Sequence, residues 1–132
     1  MDIFHVNKAG DPGRCRALLG QCPFGGAESH YIDKDDARKA FELSQEELFD
    51  AEYAERSLAI TTQELRIIDS ELLSRAILLS KAKNGTERDL IEAKTTPIAI
   101  IRAVRVEEHS FALNGAINNA SHVLATEENL FS

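Results

Sequence analysis

Cysteine and histidine side chains gather near the start of this 132-residue chain. Six residues separate Cys15 from Cys22, the two cysteines of the chain, and seven more separate Cys22 from His30. Thiolates and imidazoles are the ligands that zinc prefers, and a closed structural site takes four of them. We therefore predict one structural zinc ion held by Cys15, Cys22, His30 and His5. The carboxylate of Asp33 is the alternative to His5 as the fourth ligand.

Two other interpretations of the same residues stay open, because zinc modules commonly contain a cysteine pair roughly two to four residues apart. This chain has no such pair. Both cysteines could be reduced, buried and packed as small apolar side chains around Phe24 and Tyr31. Cys22 could also be a nucleophile or part of a redox pair, with His30 lowering the pKa of its thiol. No oxyanion-hole motif or third catalytic residue accompanies them, so we predict a protein that is not an enzyme.

The segment that carries these side chains is rich in glycine and proline. Asp11-Pro12-Gly13 and the stretch from Cys22 to Gly26 are typical of turns, and no regular element is predicted between residues 7 and 32. Only Ile3–Val6 could form a strand. Such a segment buries little apolar surface, so another interaction must order it. We predict a loop-rich Cys/His module over residues 1–33 and a helical domain over residues 34–132.

Helical periodicity begins after Asp33, which is a suitable N-cap for a first helix. The strongest helix is predicted from Gln63 to Lys83. Its apolar residues recur at steps of three and four, at Leu65, Ile68, Leu72, Ala76 and Leu79. Further apolar residues widen this stripe, which predicts a central helix contacted on two sides.

Several start and stop signals divide the helical domain. Ser44 and Thr61 each precede a glutamate by three residues, which is the form of a capping box. Asn84-Gly85 and Asn114-Gly115 are typical helix ends, and Pro97 is suited to a first helical turn. Residues 97–111 fit either a strand or a helix, and the Thr-Pro start favours a helix. The predicted fold is mostly α, a small bundle of four to six helices preceded by the irregular Cys/His-containing loop segment.

The formal net charge is -7, which makes the chain a poor partner for nucleic acid. An acidic face could instead meet a basic protein surface. No basic leader is visible, and no apolar run approaches the about 18 residues that span a bilayer, so we expect a cytoplasmic protein with no membrane contact. Glu107, Glu108 and His109 lack the spacing of a metal motif and are interpreted as solvated; His122 is assigned no role.

A set of residues in the first third of the chain follows a recognisable pattern. These are Pro12, Gly13, Cys15, Ala17, Cys22, Pro23, Phe24, Gly25, Gly26, His30, Tyr31, Ala37 and Arg38. The pattern resembles a short N-terminal module of uncharacterised phage and mobile-element proteins, where it precedes unrelated C-terminal regions. It covers residues 7–42, about a quarter of the chain. The resemblance implies a portable unit such as a tag, a docking element or a small metal knot, and implies no activity.

These observations predict a small, acidic, non-enzymatic phage or mobile-element protein that binds a host protein. Inhibition of a defence or regulatory factor is the expected consequence of that binding. The alternative is a nucleic-acid-associated regulator with a zinc-stabilised N-terminal module. Association with further copies of the chain is compatible with either prediction.

Overall fold

The computed structural model describes residues 2–17, 21–46 and 50–131. Its elements in chain order are β1 (Phe4–Val6), β2 (Pro12–Arg14), a single 3₁₀ turn (Ala27–Ser29), α1 (Lys34–Gln45), α2 (Asp50–Ser80) and α3 (Gly85–Phe131). The mostly α fold is confirmed. The predicted four to six helices are wrong, because three α-helices account for the helical part of the described chain.

A small antiparallel hairpin of β1 and β2 opens the chain, where the sequence predicted no regular element after residue 6. The side chain of Asn7 shapes its turn by accepting hydrogen bonds from the backbone N–H groups of Ala9 and Asp11. Gly10 has a φ of 87°, a left-handed conformation that favours glycine. A Cβ at Gly10 would lie 2.5 Å from Cε1 of Phe41 in α1. The turn therefore packs closely against α1 at a position where only glycine fits.

The predicted start of α1 is confirmed, since the side chain of Asp33 accepts a hydrogen bond of 3.1 Å from the backbone N–H of Asp36. The expected break near Ser44 is present as well, because α1 ends at Gln45 and α2 begins at Asp50. Ser44 itself does not cap a helix. Its hydroxyl donates to the carbonyl of Phe41 within the last turn of α1, so the capping role predicted for it is wrong.

The start of a helix predicted at Thr61 is also wrong, because α2 runs through this residue. The hydroxyl of Thr61 donates to the carbonyl of Ser57, four residues earlier, at 2.9 Å. Threonine in a helix interior can satisfy its hydroxyl in this way without interrupting the backbone ladder. The glutamate expected to complete the capping box, Glu64, is fully buried instead.

Asn84 and Gly85 lie at the start of α3 and not at the end of the preceding helix, where the sequence placed them. The side chain of Asn84 accepts a hydrogen bond of 2.8 Å from the backbone N–H of Glu87. Gly85 does not have a positive φ, which a left-handed helix end would require. Asn84 is therefore the N-cap of α3, and α2 ends earlier, at Ser80.

α3 continues through the two positions where the sequence predicted a boundary. Pro97 lies inside α3, and residues 97–111 are helical, as the Thr-Pro start favoured. Gly115 also lies inside, and a Cβ there would be 3.1 Å from Cβ of Ala54 in α2. The glycine permits close contact between the two helices and does not end α3. The side chain of His122 lies outside the described residues.

The apolar core lies where the N-terminal segment meets the α2–α3 pair. Its fully buried members come from residues before α1 and from both long helices: Ile32, Ile68, Ile98 and Ile101. Ile3 and Ala27 of the N-terminal segment pack against this cluster. The N-terminal segment is thus part of the main core. No helix in the described residues has a stretch that is both long and apolar enough to cross a membrane.

Candidate metal centre

Three segments of backbone converge beside β1. Phe4 pairs with Arg14 of β2 on one side. On the other side Phe4 exchanges two backbone hydrogen bonds with Tyr31, at 2.7 and 2.8 Å. His5, Cys15 and His30 are each the sequence neighbour of one of these paired residues. The short hairpin and the added bridge therefore bring three of the predicted ligands into one place.

The fourth predicted ligand, Cys22, is positioned by a tight turn. Its carbonyl accepts a hydrogen bond of 3.2 Å from the backbone N–H of Gly25, which has a φ of 120°. The hydroxyl of Ser29 closes the following loop by hydrogen bonding to the carbonyls of Phe24 and Gly26, both at 3.0 Å. The glycine-rich stretch thus forms a compact loop that leads from Cys22 to the 3₁₀ turn and His30.

The side chains of His5, Cys15, Cys22 and His30 form one group. Their ligating atoms all lie within 4.8 Å of one another, and Cys22 Sγ is 3.6 Å from Nδ1 of His5. Cys22 and His30 are buried, while His5 and Cys15 are half-buried. This group could hold a metal ion. The carboxylate of Asp33, the alternative fourth ligand, caps α1.

The hydrogen bonding of His30 leaves one ring nitrogen available for a metal. Nδ1 lies 2.6 Å from the carbonyl oxygen of Gly26, so it carries the proton and donates to that carbonyl. In the neutral ring Nε2 is then the acceptor, and it is buried with no hydrogen-bond partner among the described residues. Metal-bound histidines commonly donate their second nitrogen to a backbone carbonyl in this way, which fixes the ring for the metal.

The surroundings of His5 favour the neutral imidazole. Its ring stacks on Phe24 with centroids 4.5 Å apart and meets the ring of His30 edge-on at 5.4 Å. Burial, and secondarily the neighbouring His30, lower the pKa of His5 below its ordinary value. A neutral imidazole is the form that binds a metal.

The cysteines are free thiols that a metal would have to deprotonate. Burial is the largest influence on Cys15 and raises the pKa of its thiol, while a backbone hydrogen bond at Ala17 acts in the opposite direction. Neither cysteine is in a disulfide. Because a thiolate is the ligating form, metal binding here would release protons.

Phe24 and Tyr31, around which the two cysteines could have packed as apolar side chains, contact other residues. Phe24 is 44% exposed and stacks on His5. The ring of Tyr31 lies under Arg105, with the guanidinium carbon 3.8 Å from the ring centroid. Sγ of Cys22 lies 3.6 Å from an imidazole nitrogen of His5. The thiols thus face nitrogen and sulfur atoms that can act as ligands.

A buried ion pair that the sequence analysis missed holds the backbone beside His30. Oxygens of Glu64 accept from the backbone N–H groups of Ile32 at 2.7 Å and Asp33 at 3.1 Å. Arg105 donates to the carbonyl of His30. Nε of Arg105 is 3.8 Å from the Glu64 carboxylate, and both side chains are fully buried. We call these two residues, one from α2 and one from α3, the clamp.

The polar residues around the clamp differ from their predicted solvated state. Glu108 accepts a hydrogen bond of 3.0 Å from Arg105, and its burial raises its pKa against the opposing charge of that arginine. Nδ1 of His109 lies 3.1 Å from the hydroxyl of Thr61. The interpretation of Glu108 and His109 as freely solvated is therefore wrong, because α3 turns both towards α2.

One signal in the sequence could have identified the clamp. Glu64 precedes Ile68 by four residues and Leu72 by eight, so it lies on the apolar face of the predicted central helix. A carboxylate on a buried face needs an opposite charge or several hydrogen-bond donors. The capping-box interpretation placed Glu64 at a helix start and hid that requirement.

A groove opens on the side of the molecule where α1 crosses the two long helices. Its volume is about 580 Å³, which is within the range of ligand pockets. Its lining residues are Tyr31, Ala40, Leu43, Ser44, Tyr53, Ser57, Ile60, Thr61, Val104, Glu107, Glu108 and Phe111. Phe111 is 82% exposed and Tyr53 is 48% exposed at its rim. The groove is thus mainly apolar, with two carboxylates on the side of α3.

Comparison with protein-family models, with curated proteins and with solved structures gives no match for this chain. The functional argument therefore depends on the arrangement of the side chains themselves.

Proposed function

We propose that His5, Cys15, Cys22 and His30 bind one structural zinc ion. The observation that supports this most strongly is the convergence of four ligating atoms, with His30 presenting a buried and unpartnered nitrogen. Two thiols and two imidazoles form a donor set typical of closed, tetrahedral zinc sites. The bound ion would tie together the hairpin, the Cys22 loop and the segment that leads into α1.

One sulfur–nitrogen distance in the group fits this ion. Bonds of about 2.3 Å to sulfur and about 2.0 Å to nitrogen, at the tetrahedral angle, put two zinc ligands about 3.5 Å apart. Cys22 Sγ and His5 Nδ1 are 3.6 Å apart. Zinc binding therefore requires little movement of these two side chains, which is the condition for a preformed site.

The zinc content of the purified full-length protein tests this proposal. Native mass spectrometry under reducing conditions should find one zinc ion per chain, and Cys22→Ser should lose it. His109→Ala is the matched control, because His109 lies in α3 outside the group, and it should retain the ion. A reduced, folded protein that takes up no zinc at near one equivalent contradicts the proposal.

We further propose that the protein is a non-enzymatic phage or mobile-element protein that binds a host protein and inhibits a defence or regulatory factor. The resemblance of residues 7–42 to a portable module supports the origin. The groove supports binding, because its exposed aromatic rim is the kind of surface that anchors partners. The carboxylates of Glu107 and Glu108 and the net charge of -7 favour a partner with basic residues around an apolar contact.

Affinity capture from the host, followed by binding measurements with the purified partner, tests this second proposal. The captured protein should bind directly, and more weakly as salt rises. Phe111→Ser should weaken binding by about tenfold or more, as expected for an aromatic anchor. Ile100→Ser is the control, since Ile100 is 46% exposed and does not line the groove. Equal affinity of both variants would reject the groove as the binding surface.

A further inference from the structure

The distal half of the α2–α3 pair has no buried side chain. All residues from 69 to 97 are half-buried or exposed, although this stretch contains many leucines, isoleucines and alanines. Among them Leu73 is 65% exposed and Ile77 is 47% exposed. Two helices alone cannot enclose a core, so a hairpin of this composition is stabilised by another surface packing against it. The contact on two sides predicted for this helix therefore does not bury any side chain of residues 69–80.

The uncovered side of α2 has the spacing of a helix-packing seam. Ser70, Leu73, Ile77 and Ser80 follow one another at steps of three, four and three, and all four are exposed. This alternation keeps residues in line along a partner helix. Ala76 lies beside the seam and is also exposed. Its small side chain, with the two serines, leaves room for a second helix to approach closely around Leu73 and Ile77.

The total surface of the chain is larger than a compact monomer requires. The solvent-accessible area is 8914 Å², whereas a folded monomer of 14.6 kDa is expected to expose about 6,900 Å². The excess of about 2,000 Å² exceeds the roughly 800 Å² that each partner buries in a standard interface. The chain as a whole thus exposes more area than a stable dimer contact buries, and the uncovered side of the hairpin is part of that surface.

The charges of the distal half are suited to a second copy of the same chain. Residues 69–97 contain five acidic and five basic residues, so this part is neutral while the rest of the chain carries the whole excess of -7. The acidic Asp69 and Glu71 lie at the start of the seam, and the basic Lys81 and Lys83 follow its end, just beyond α2. An antiparallel contact of two α2 helices therefore puts each acidic end against the basic end of the other copy.

We propose that the protein forms a twofold symmetric dimer through this seam, with the two α2 helices antiparallel and centred near Ala76. Each copy inserts Leu73 and Ile77 between the same residues of the other, as an isologous interface requires. Two hairpins joined in this way form a four-helix arrangement that covers the exposed aliphatic side chains. No seam residue belongs to the candidate metal centre or lines the groove, so the interface depends on neither.

Sedimentation equilibrium of the full-length, zinc-supplemented protein tests the dimer. We expect a mass twice that of one chain at micromolar concentration. The variant with Leu73→Glu and Ile77→Glu should sediment as a monomer with an unchanged helical circular dichroism spectrum. Ile117→Glu is the control, because Ile117 is 53% exposed in α3 outside the seam, and it should remain dimeric. A monomeric wild-type protein, or a seam variant that stays dimeric, overturns the proposal.

Charge reversal tests the antiparallel direction. Lys81→Glu with Lys83→Glu should weaken self-association by at least about tenfold, because like charges then face each other. Adding Asp69→Lys and Glu71→Lys to that variant should restore it, although the pairs of Asp69 with Arg102 and of Glu71 with Arg75 within one chain are lost. A parallel dimer would respond to neither change in this way, since each residue would face the same residue of the other chain. Failure of the rescue overturns the antiparallel arrangement.

Discussion

Asp36 in the first turn of α1 holds a proton that an exposed aspartate would lose. Its side chain is 1% exposed, and its Oδ2 atom has no hydrogen-bond partner among the described residues. Burial, followed by the hydrogen bond and the negative charge of Glu64, raises the pKa of Asp36 to about 8. The protonated carboxyl group can donate to Glu64, whereas the ionised form would place two negative charges side by side in the core.

The pH dependence of stability follows from this raised pKa. The group binds its proton more tightly in the folded state than in the unfolded chain, where its pKa is about 3.9. Its contribution is fully present below about pH 4 and is lost as the pH rises through 8. Asp36→Asn keeps a donor for Glu64 and has no proton to lose. We expect the variant to gain stability over the wild type between pH 5 and 8, by at most about 1.4 kcal/mol per pH unit.

Urea unfolding of the two proteins at pH 5, 6, 7 and 8, with zinc present throughout, measures this difference. The proposed metal ligands are the same in both proteins, so any effect of theirs cancels in the comparison. Parallel pH profiles for the wild type and Asp36→Asn would mean that Asp36 is ionised in the folded protein.

At the scale of elements, the clamp joins the two long helices to the candidate metal centre. Glu64 of α2 holds the N–H groups of Ile32 and Asp33, and Arg105 of α3 holds the carbonyl of His30. Every backbone contact of the clamp thus falls within three residues of a predicted zinc ligand. Removing one partner alone would leave a buried charge unpaired, which is strongly destabilising. Changing both partners leaves no unpaired charge, so that any remaining effect on zinc binding reports how the clamp positions His30.

The double variant Glu64→Gln with Arg105→Met should therefore fold and bind zinc more weakly. Removal of the outer contacts that orient metal ligands commonly lowers metal affinity by about tenfold to a hundredfold. Competition with a chromophoric chelator measures the zinc dissociation constant of each protein. The control is Arg102→Met, since Arg102 pairs with Asp69 on the surface of the same helices. An unchanged dissociation constant in the double variant would show that the clamp does not position the site.

The sequence predicted which side chains lie together at the candidate site more successfully than it predicted the boundaries of the helices. Thiol and imidazole groups in a glycine-rich segment are chemically distinctive, and His5, Cys15, Cys22 and His30 do lie together. Local boundary signals at Thr61 and Pro97 were overridden, because long-range packing continues both helices through them. Glu64 and Arg105 were missed for a related reason, since their pairing joins positions 41 residues apart and has no local pattern.

At the scale of the whole molecule, metal binding should affect the two ends differently. The N-terminal segment contributes Ile3, Ala27 and Ile32 to the core, and its short strands and loops supply little further apolar burial. Zinc that binds the folded state and not the unfolded state stabilises the folded form of the segment that carries its ligands. The distal hairpin, residues 69–97, contains none of the four ligands.

Chelation should therefore loosen the N-terminal segment first. Amide hydrogen exchange of the zinc-loaded and the chelator-treated protein, followed by mass spectrometry, compares the two ends of the molecule. We expect exchange to accelerate by at least about tenfold in residues 2–17 and 21–33, and to stay within about twofold in residues 69–97. Uniform acceleration along the chain would show that zinc supports the whole fold, and no change anywhere would show that it supports none of it.

X-ray absorption at the zinc edge of the loaded protein tests the central claim most directly, because it identifies the atoms bound to the ion. Two sulfurs at about 2.3 Å and two nitrogens at about 2.0 Å, with the scattering pattern of imidazole, are predicted from Cys15, Cys22, His5 and His30. A shell of oxygen and nitrogen without sulfur, or with a single sulfur, would contradict the proposed zinc site.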